Sequence, residues 1–444
     1  MSHRHASPKS PFLRAGLGAS LLSTACIAYA ADLAYDGNGA AHGTSGSGAW
    51  NTRSPAWFDG VAYRAWDNVA LDHAVFGTPG TVTLASPVTA GGLAFVAPGD
   101  YTLTGTAGLT LGGTGDITLA EGVRASIASP FSGGFFVQGG AVPGGASLAI
   151  QGNNAGIHSG VARVGHGARL VLGHPNALGS DNAASQLVLH DGAALRFGTS
   201  GTYANHYTLA GGTVRIGSDA HFGTFTGSPV LTAATRLVFE AGAQAWTGTL
   251  ADTGAHALTL VVQNNEGYGP TLSGTNTYTG TTHLVSGVLG LQHAAALPTH
   301  SLVSFEGVDP DSVPALGFRY GGTFARDLGD GAGQVRWHGS GGFRSFGPAV
   351  TVTLDGNAPL EWGREHFVPD GASLLVGHAV TLTNAIDLGA AQRTIFGGGT
   401  LAGELTGVGG GVRLRDGTLA LLSANTYTGA THVDARNDHV FGAS

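Results

Sequence analysis

The segment Leu272-Ser-Gly-Thr-Asn276-Thr-Tyr278-Thr-Gly280-Thr-Thr282-His283 recurs, one residue shorter, as Leu422-Ser-Ala-Asn425-Thr-Tyr427-Thr-Gly429-Ala-Thr431-His432. Chance does not write N-T-Y-T-G-x-T-H twice in one chain, so the molecule contains an internal repeat. The first copy continues through Leu284-Val-Ser-Gly287-Val-Leu-Gly-Leu291 to His293-Ala-Ala-Ala-Leu297. A degenerate third copy runs from Asn154 to Gly160 and reaches Gly167 seven residues later, as Gly280 reaches Gly287. Each residue type has a physical task in a unit that turns and re-enters a strand. Asn stacks in a ladder or holds a left-handed turn, Tyr covers an apolar interior, Gly permits a sharp corner and Thr favours the following strand. Asn276, Tyr278, Gly280, Thr282 and Gly287 are thus expected at corners matching those of Asn425, Tyr427, Gly429 and Thr431, with Gly280 at positive φ.

Around these copies the recurring element is an apolar-polar-apolar triplet. Val82-Thr-Leu84, Leu109-Thr-Leu111, Ile117-Thr-Leu119, Val214-Arg-Ile216, Val350-Thr-Val352-Thr-Leu354 and Val412-Arg-Leu414 are examples. Alternation of this kind marks a short strand with one face inward. Glycine accounts for 76 of 444 residues, about 17% against a usual share of about 7%, and interior glycines at that density disfavour helices. Disorder is disfavoured too, because 42% of residues are hydrophobic and only 11% charged. A chain this long strains a single compact core, whereas a solenoid lengthens by adding coils. Three strands per coil of roughly 20 to 25 residues give a parallel β-helix of roughly 17 to 20 coils, a rod on the order of 80 to 95 Å long. Regular short strands are equally the habit of sandwiches and propellers.

The N-terminal segment 1–30 carries a basic leader (His3, Arg4, His5, Lys9, Arg14), a weakly apolar run from Ala15 to Ala28, and the small-x-small pattern Ala28-Tyr29-Ala30. This is the order of a secretory signal peptide, with cleavage expected between Ala30 and Ala31. The apolar run is too short to span a bilayer, so no transmembrane segment is expected in the mature chain. Cys26, the only cysteine, falls in the leader, which leaves the mature chain without disulfide or thiol chemistry. Lys9 is the only lysine, so Schiff-base and Walker-type chemistry are absent after cleavage. The mature chain keeps 17 basic against 28 acidic residues, a balance that disfavours nucleic acid as a partner.

At residues 270 to 298 and 421 to 433, and more loosely at 152 to 180, the sequence resembles the autotransporter-associated β-strand repeat of bacterial autotransporter passengers, whose pattern is N-T-Y-T-G-x-T followed by V-x-x-G-x-L. Trp50, Trp57-Phe58-Asp59-Gly60, Trp66-Asp67-Asn68 and Ala74-Val75-Phe76 are similar to the opening of such passengers, and bulky aromatics suit the covering of a terminal coil. The resemblance implies an all-β, right-handed parallel β-helix, secreted, exposed on a Gram-negative cell and connected with adhesion, aggregation or biofilm. Its domains are read as a signal peptide (1–30), an aromatic-rich cap (31–80), the β-helix (81–433) and an irregular, truncated tail (434–444). The last copy departs from the pattern: Arg436 stands where Gly287 stands in the first, and no family-type C-terminal barrel follows. The expected location is therefore the periplasm when the chain is expressed alone, and the cell surface or outer membrane when a translocator is supplied.

Little in the chain points to catalysis. It has no G-x-S-x-G, G-D-S-G or H-E-x-x-H. Gly112-Gly-Thr-Gly-Asp116 misses the calcium-binding pattern by one residue. Glu361 and Glu365 flank Arg364 and read as an exposed loop rather than a glycosidase pair, and Asp309 and Asp311 read as turn residues. The 17 mature histidines are dispersed, which suits charge regulation in mild acid better than metal binding. The reading is a structural and adhesive surface module, not an enzyme, with no cofactor or metal, whose partners are host or bacterial surface ligands or further copies of itself. A secreted polysaccharide-acting β-helix enzyme and a nonfunctional truncated fragment are the alternatives.

Overall fold

A computed structural model describes residues 30–39, 46–180, 185–218, 222–263, 269–309 and 311–434. The expected leader up to Tyr29, including Cys26, and the expected tail from Ala435 lie outside the described residues. Short strands stack into three long sheets of 12, 13 and 11 strands and two smaller ones of five and three. Sheet neighbours come from successive coils and pair in parallel, so the chain winds as a β-solenoid of about 15 turns, with no α-helix among the described residues.

The triplets form the walls. Val123–Ile127 alternates buried and outward residues and pairs in register with Gly99–Thr104 on one side and Ala146–Ile150 on the other, the latter pairing with Ala168–Leu172. Leu103, Ile127, Ile150 and Leu172 consequently form one buried column along the axis, each at most 2% exposed. Burying each such side chain is worth about 1.5–3 kcal/mol. Register aligns the outward residues equally: Arg124 lies over Asp100, with Nε 2.6 Å from Oδ1. Aromatics stack by the same rule, as in Phe76 on Phe95 (5.1 Å), Phe225 on Trp246 (4.2 Å) and Phe305 on Trp337 (4.7 Å).

At the N-terminal end the pairing changes. Asp32–Tyr35 pairs in parallel with His73–Phe76 but antiparallel with Trp57–Phe58, which pairs antiparallel with Tyr63–Arg64. Inside this turn Trp50, Trp57 and Trp66 meet pairwise at 4.6–4.9 Å. All three are at most 2% exposed, and Trp66 Nε1 donates to Thr89 O at 2.9 Å.

Coil length explains why about 15 turns are formed where spacing suggested more. Late coils are short, with Thr381 paired to Thr400 and Ile386 to Leu405. Those in the middle are much longer, with Val303 paired to Val335 and Thr351 to Thr381. The extra residues leave the walls as loops. Through these long coils the 13-stranded sheet ends at Val335–Trp337, while the five- and three-stranded sheets begin at Gly322–Arg326 and Leu360–Glu361.

Candidate functional site

Loops on a rigid scaffold are where recognition residues concentrate, and the walls beside the long coils carry a linked group of charged side chains. Thr282–Ser286, Val303–Phe305 and Val335–Trp337 lie side by side, with His283, Ser304 and Arg336 in one register column. His283 Nδ1 is 2.6 Å from Glu306 Oε1, to which Ser304 Oγ donates at 2.7 Å. Arg336 Nε donates to Ser304 Oγ at 3.2 Å and its other arm reaches Asp330 Oδ1 at 2.7 Å. His366 Nδ1 lies 3.6 Å from the same Asp330 oxygen. Burial alone would raise the Glu306 carboxyl, but the bonds from His283 and Ser304 and the charges of His283 and His338 hold it down at about 2. The hydrogen bond from Arg336 likewise holds Asp330 below the usual carboxylate range. Both carboxylates therefore stay ionised and paired, which suits polar recognition rather than proton donation. Sequence reading missed this group because its members stand on successive coils, far apart along the chain. The available signal was a polar residue at the same place in successive triplets: His283 in T-H-L, Ser304 in V-S-F and Arg336 in V-R-W.

The repeat residues adopt one local conformation in both copies. A two-residue strand, Thr271–Leu272 or Ala420–Leu421, leads through an irregular corner to Thr282–Ser286 or Thr431–Asp434. Asn276 is buried: its Oδ1 accepts from Leu250 N at 2.7 Å on the preceding coil, and its Nδ2 donates to Ala296 O at 2.7 Å on the following one. Asn154 does the same with Phe131 N (3.0 Å) and Ala177 O (2.8 Å), and Asn425 Oδ1 accepts from Leu405 N at 2.8 Å. The asparagine thus clasps coils together and does not occupy a left-handed turn. Tyr278 is fully buried, with its hydroxyl 2.9 Å from Thr282 Oγ1; the hydroxyl of Tyr427 meets Thr431 Oγ1 at 2.6 Å. Burial pushes the Tyr278 hydroxyl up to about 12.

Two expectations need correction. Gly280 and Gly429 are not at positive φ. A Cβ on Gly280 would stand 2.2 Å from Leu258 O, and one on Gly429 2.4 Å from Gly410 O, so close approach of the neighbouring coil selects glycine there. Positive φ belongs instead to Gly287 and Gly167, both at 74°. The two copies also lead into different sheets: Thr282–Ser286 joins the 13-stranded sheet and Thr431–Asp434 the 11-stranded one. Their equivalence is local, because the long intervening coils change which sheet follows the corner.

Among curated proteins the chain is 32% identical, over 440 aligned residues, to a protein described as Adhesin BmaC autotransporter from Brucella suis biovar 1 (strain 1330). The alignment covers 91% of this chain and 12% of that protein. The chain is thus similar to part of an autotransporter adhesin, and its β-solenoid is consistent with passenger repeats. It spans a small part of the length of the relative it matches. No family model matches it, and no solved structure does.

Elsewhere on the solenoid, Arg364 Nε lies 3.5 Å from Glu361 Oε2, both side chains exposed. Asp311 is more than a turn residue: its backbone N–H donates to Asp309 Oδ1 at 2.8 Å, while its carboxylate pairs with Arg415. Asp116 faces outward in register with Gly92, whose strand adjoins that of His73. Among the described residues no three His, Cys, Asp or Glu side chains are grouped to hold a metal ion, and no helix is long and apolar enough to cross a membrane. Ala30 is exposed and Ala31 half-buried.

Proposed function

We propose that this chain is an exported, non-catalytic adhesive module that presents its outward strand faces and long-coil loops to ligands on host or bacterial surfaces, or to further copies of itself. The observation that carries this reading is the relationship, over 91% of the chain, to a protein described as an autotransporter adhesin. The charged column from His283 to Arg336 supports it, since its carboxylates are ionised and paired on a wall from which loops project. Residues 1–30 act as the export leader, 31–80 as the cap, 81–433 as the solenoid and 434–444 as a tail. Asn276, Tyr278, Gly280, Thr282 and Gly287, with Asn425, Tyr427, Gly429 and Thr431, serve structure rather than binding. Expressed alone the protein accumulates in the periplasm, and a supplied translocating barrel moves it to the surface.

Bacteria displaying the chain on such a barrel are expected to be retained on host cells or to clump with one another several-fold more than bacteria displaying the barrel alone. Equal retention and equal clumping would remove the adhesive reading. Protease treatment of intact cells verifies display in the same experiment.

A further inference from the structure

The first residue after the expected cleavage point already has a charged receptor. The backbone N–H of Ala31 donates to Asp72 Oδ1 at 2.8 Å, and the His73 N–H donates back to Ala31 O at 2.8 Å. Asp72 is only 4% exposed, and its other oxygen accepts from Arg64 Nη2 at 2.8 Å. Buried carboxylates are retained where cations answer them. Here one oxygen meets a guanidinium, and the other meets a nitrogen that is a neutral amide only while residue 30 remains attached.

We infer that Asp72 is the docking site for the new N-terminus, so that removal of the leader locks the first strand into the solenoid. In the cleavage, water adds across the Ala30–Ala31 peptide bond under a signal peptidase: Ala30 leaves with the carboxylate, and the Ala31 nitrogen becomes an amine that takes up a proton at neutral pH. The resulting ammonium stands 2.8 Å from the Asp72 carboxylate without any movement of the chain. It turns an amide-to-carboxylate hydrogen bond into an ammonium–carboxylate ion pair at the end strand of the parallel stack, where Asp32–Tyr35 holds His73–Phe76 on one side and the antiparallel Trp57–Phe58 on the other. The other ionisable groups facing this point are Arg64, which shares Asp72, and the outward pair Asp32 and His73, 3.4 Å apart; Asp116 lies beyond Gly92. The inference rests on the leader proposed above and is independent of adhesion.

The pH dependence has a definite sign. An α-amine titrates near 7.7–8.0 in an unfolded chain, and pairing with Asp72 raises its pKa in the folded one. The added stability is therefore fully present below about 7.7 and lost as pH rises through the raised value.

The test uses the exported protein. Its intact mass should give a chain starting at Ala31; any other start overturns the proposal whatever the adhesion assay shows. The pH dependence of acetylation at the α-amine should give a pKa at least about one unit higher in the folded than in the urea-unfolded protein. Equal values overturn it. In a variant whose leader ends one residue earlier, so that the mature chain starts at Ala30, amides of 32–35 and 73–76 should exchange about tenfold faster at pH 7. That difference should vanish at pH 10 and in the Asp72→Asn background. If Asp72→Asn does not fold, the amine titration in the unsubstituted protein still decides.

Discussion

At the scale of single residues the asparagine clasp ties one coil to the next. Asn276 satisfies a donor on the coil before and an acceptor on the coil after with one buried amide. Asn384 ties down the preceding coil alone, accepting from Leu354 N at 2.9 Å and donating to Leu354 O and Ala358 O at 2.7 and 2.8 Å. Asn276→Ala leaves Leu250 N–H and Ala296 C=O without that partner in a dry site, and each orphan costs about 1–3 kcal/mol. Local destabilisation of about 2–5 kcal/mol is expected, read as faster exchange at the Leu250 amide; unchanged exchange would show that water replaces the side chain. Gly280→Ala tests the steric account of that corner. Alanine is tolerated wherever φ is negative and space is free, so a loss of about 2 kcal/mol or more, measured by local exchange of 280–286, is expected only because Leu258 O leaves no room.

Among the strands, the charged column on the long coils supplies the pH-sensitive contact. Glu306 is held at about 2 in the folded protein, against about 4.3 in an unfolded chain. A depressed carboxyl stabilises above the unfolded value, and the contribution disappears as pH falls from about 4.3 through about 2. The side chain is 24% exposed, so water screens part of the gain and about 2 kcal/mol is the expected size. Exchange at 282–286 and 303–305 should accelerate across that window in the unsubstituted protein. In Glu306→Gln it should already be faster at pH 6 and should show little further dependence. A profile identical in both proteins would remove Glu306 from this role.

For the whole molecule, a solenoid's coils contact mainly their neighbours, so damage stays local. Trp57→Ala empties a site where Trp50 and Trp66 meet it at 4.8 and 4.6 Å, with an expected cost of about 3–5 kcal/mol. The first coils, to about residue 95, should lose protection from exchange or proteolysis while 380–415 keep theirs. Simultaneous loss in both regions would mean that the chain unfolds as one unit. Two histidines are held below the ordinary imidazole range and so add less charge in mild acid than a count of histidines suggests. Burial pushes His158 down to about 4 in spite of an opposing hydrogen bond with the Phe131 backbone, and burial with the nearby Arg163 charge lowers His190.

The solenoid was legible in the sequence because its cause is local and repeated. Alternation in Val350-Thr-Val-Thr-Leu354 selects a strand with one face inward, and the Asn-x-Tyr-x-Gly corner carries its own hydrogen-bonding groups wherever it stands. The matching steps from Gly160 to Gly167 and from Gly280 to Gly287 end on residues that share a left-handed conformation, which the sequence reading places at Gly280 instead. What only the tertiary structure decided depends on which residues stack across coils. Coil length, short from Thr381 to Thr400 and long from Val303 to Val335, cannot be read from strands alone, and it determines the number of turns and the sheet that each corner enters. It also brings His283, Ser304 and Arg336 into one column, and sets Leu258 O against Gly280. Strand propensity is written within a few residues; register between coils comes from packing, where one inserted loop moves every later neighbour.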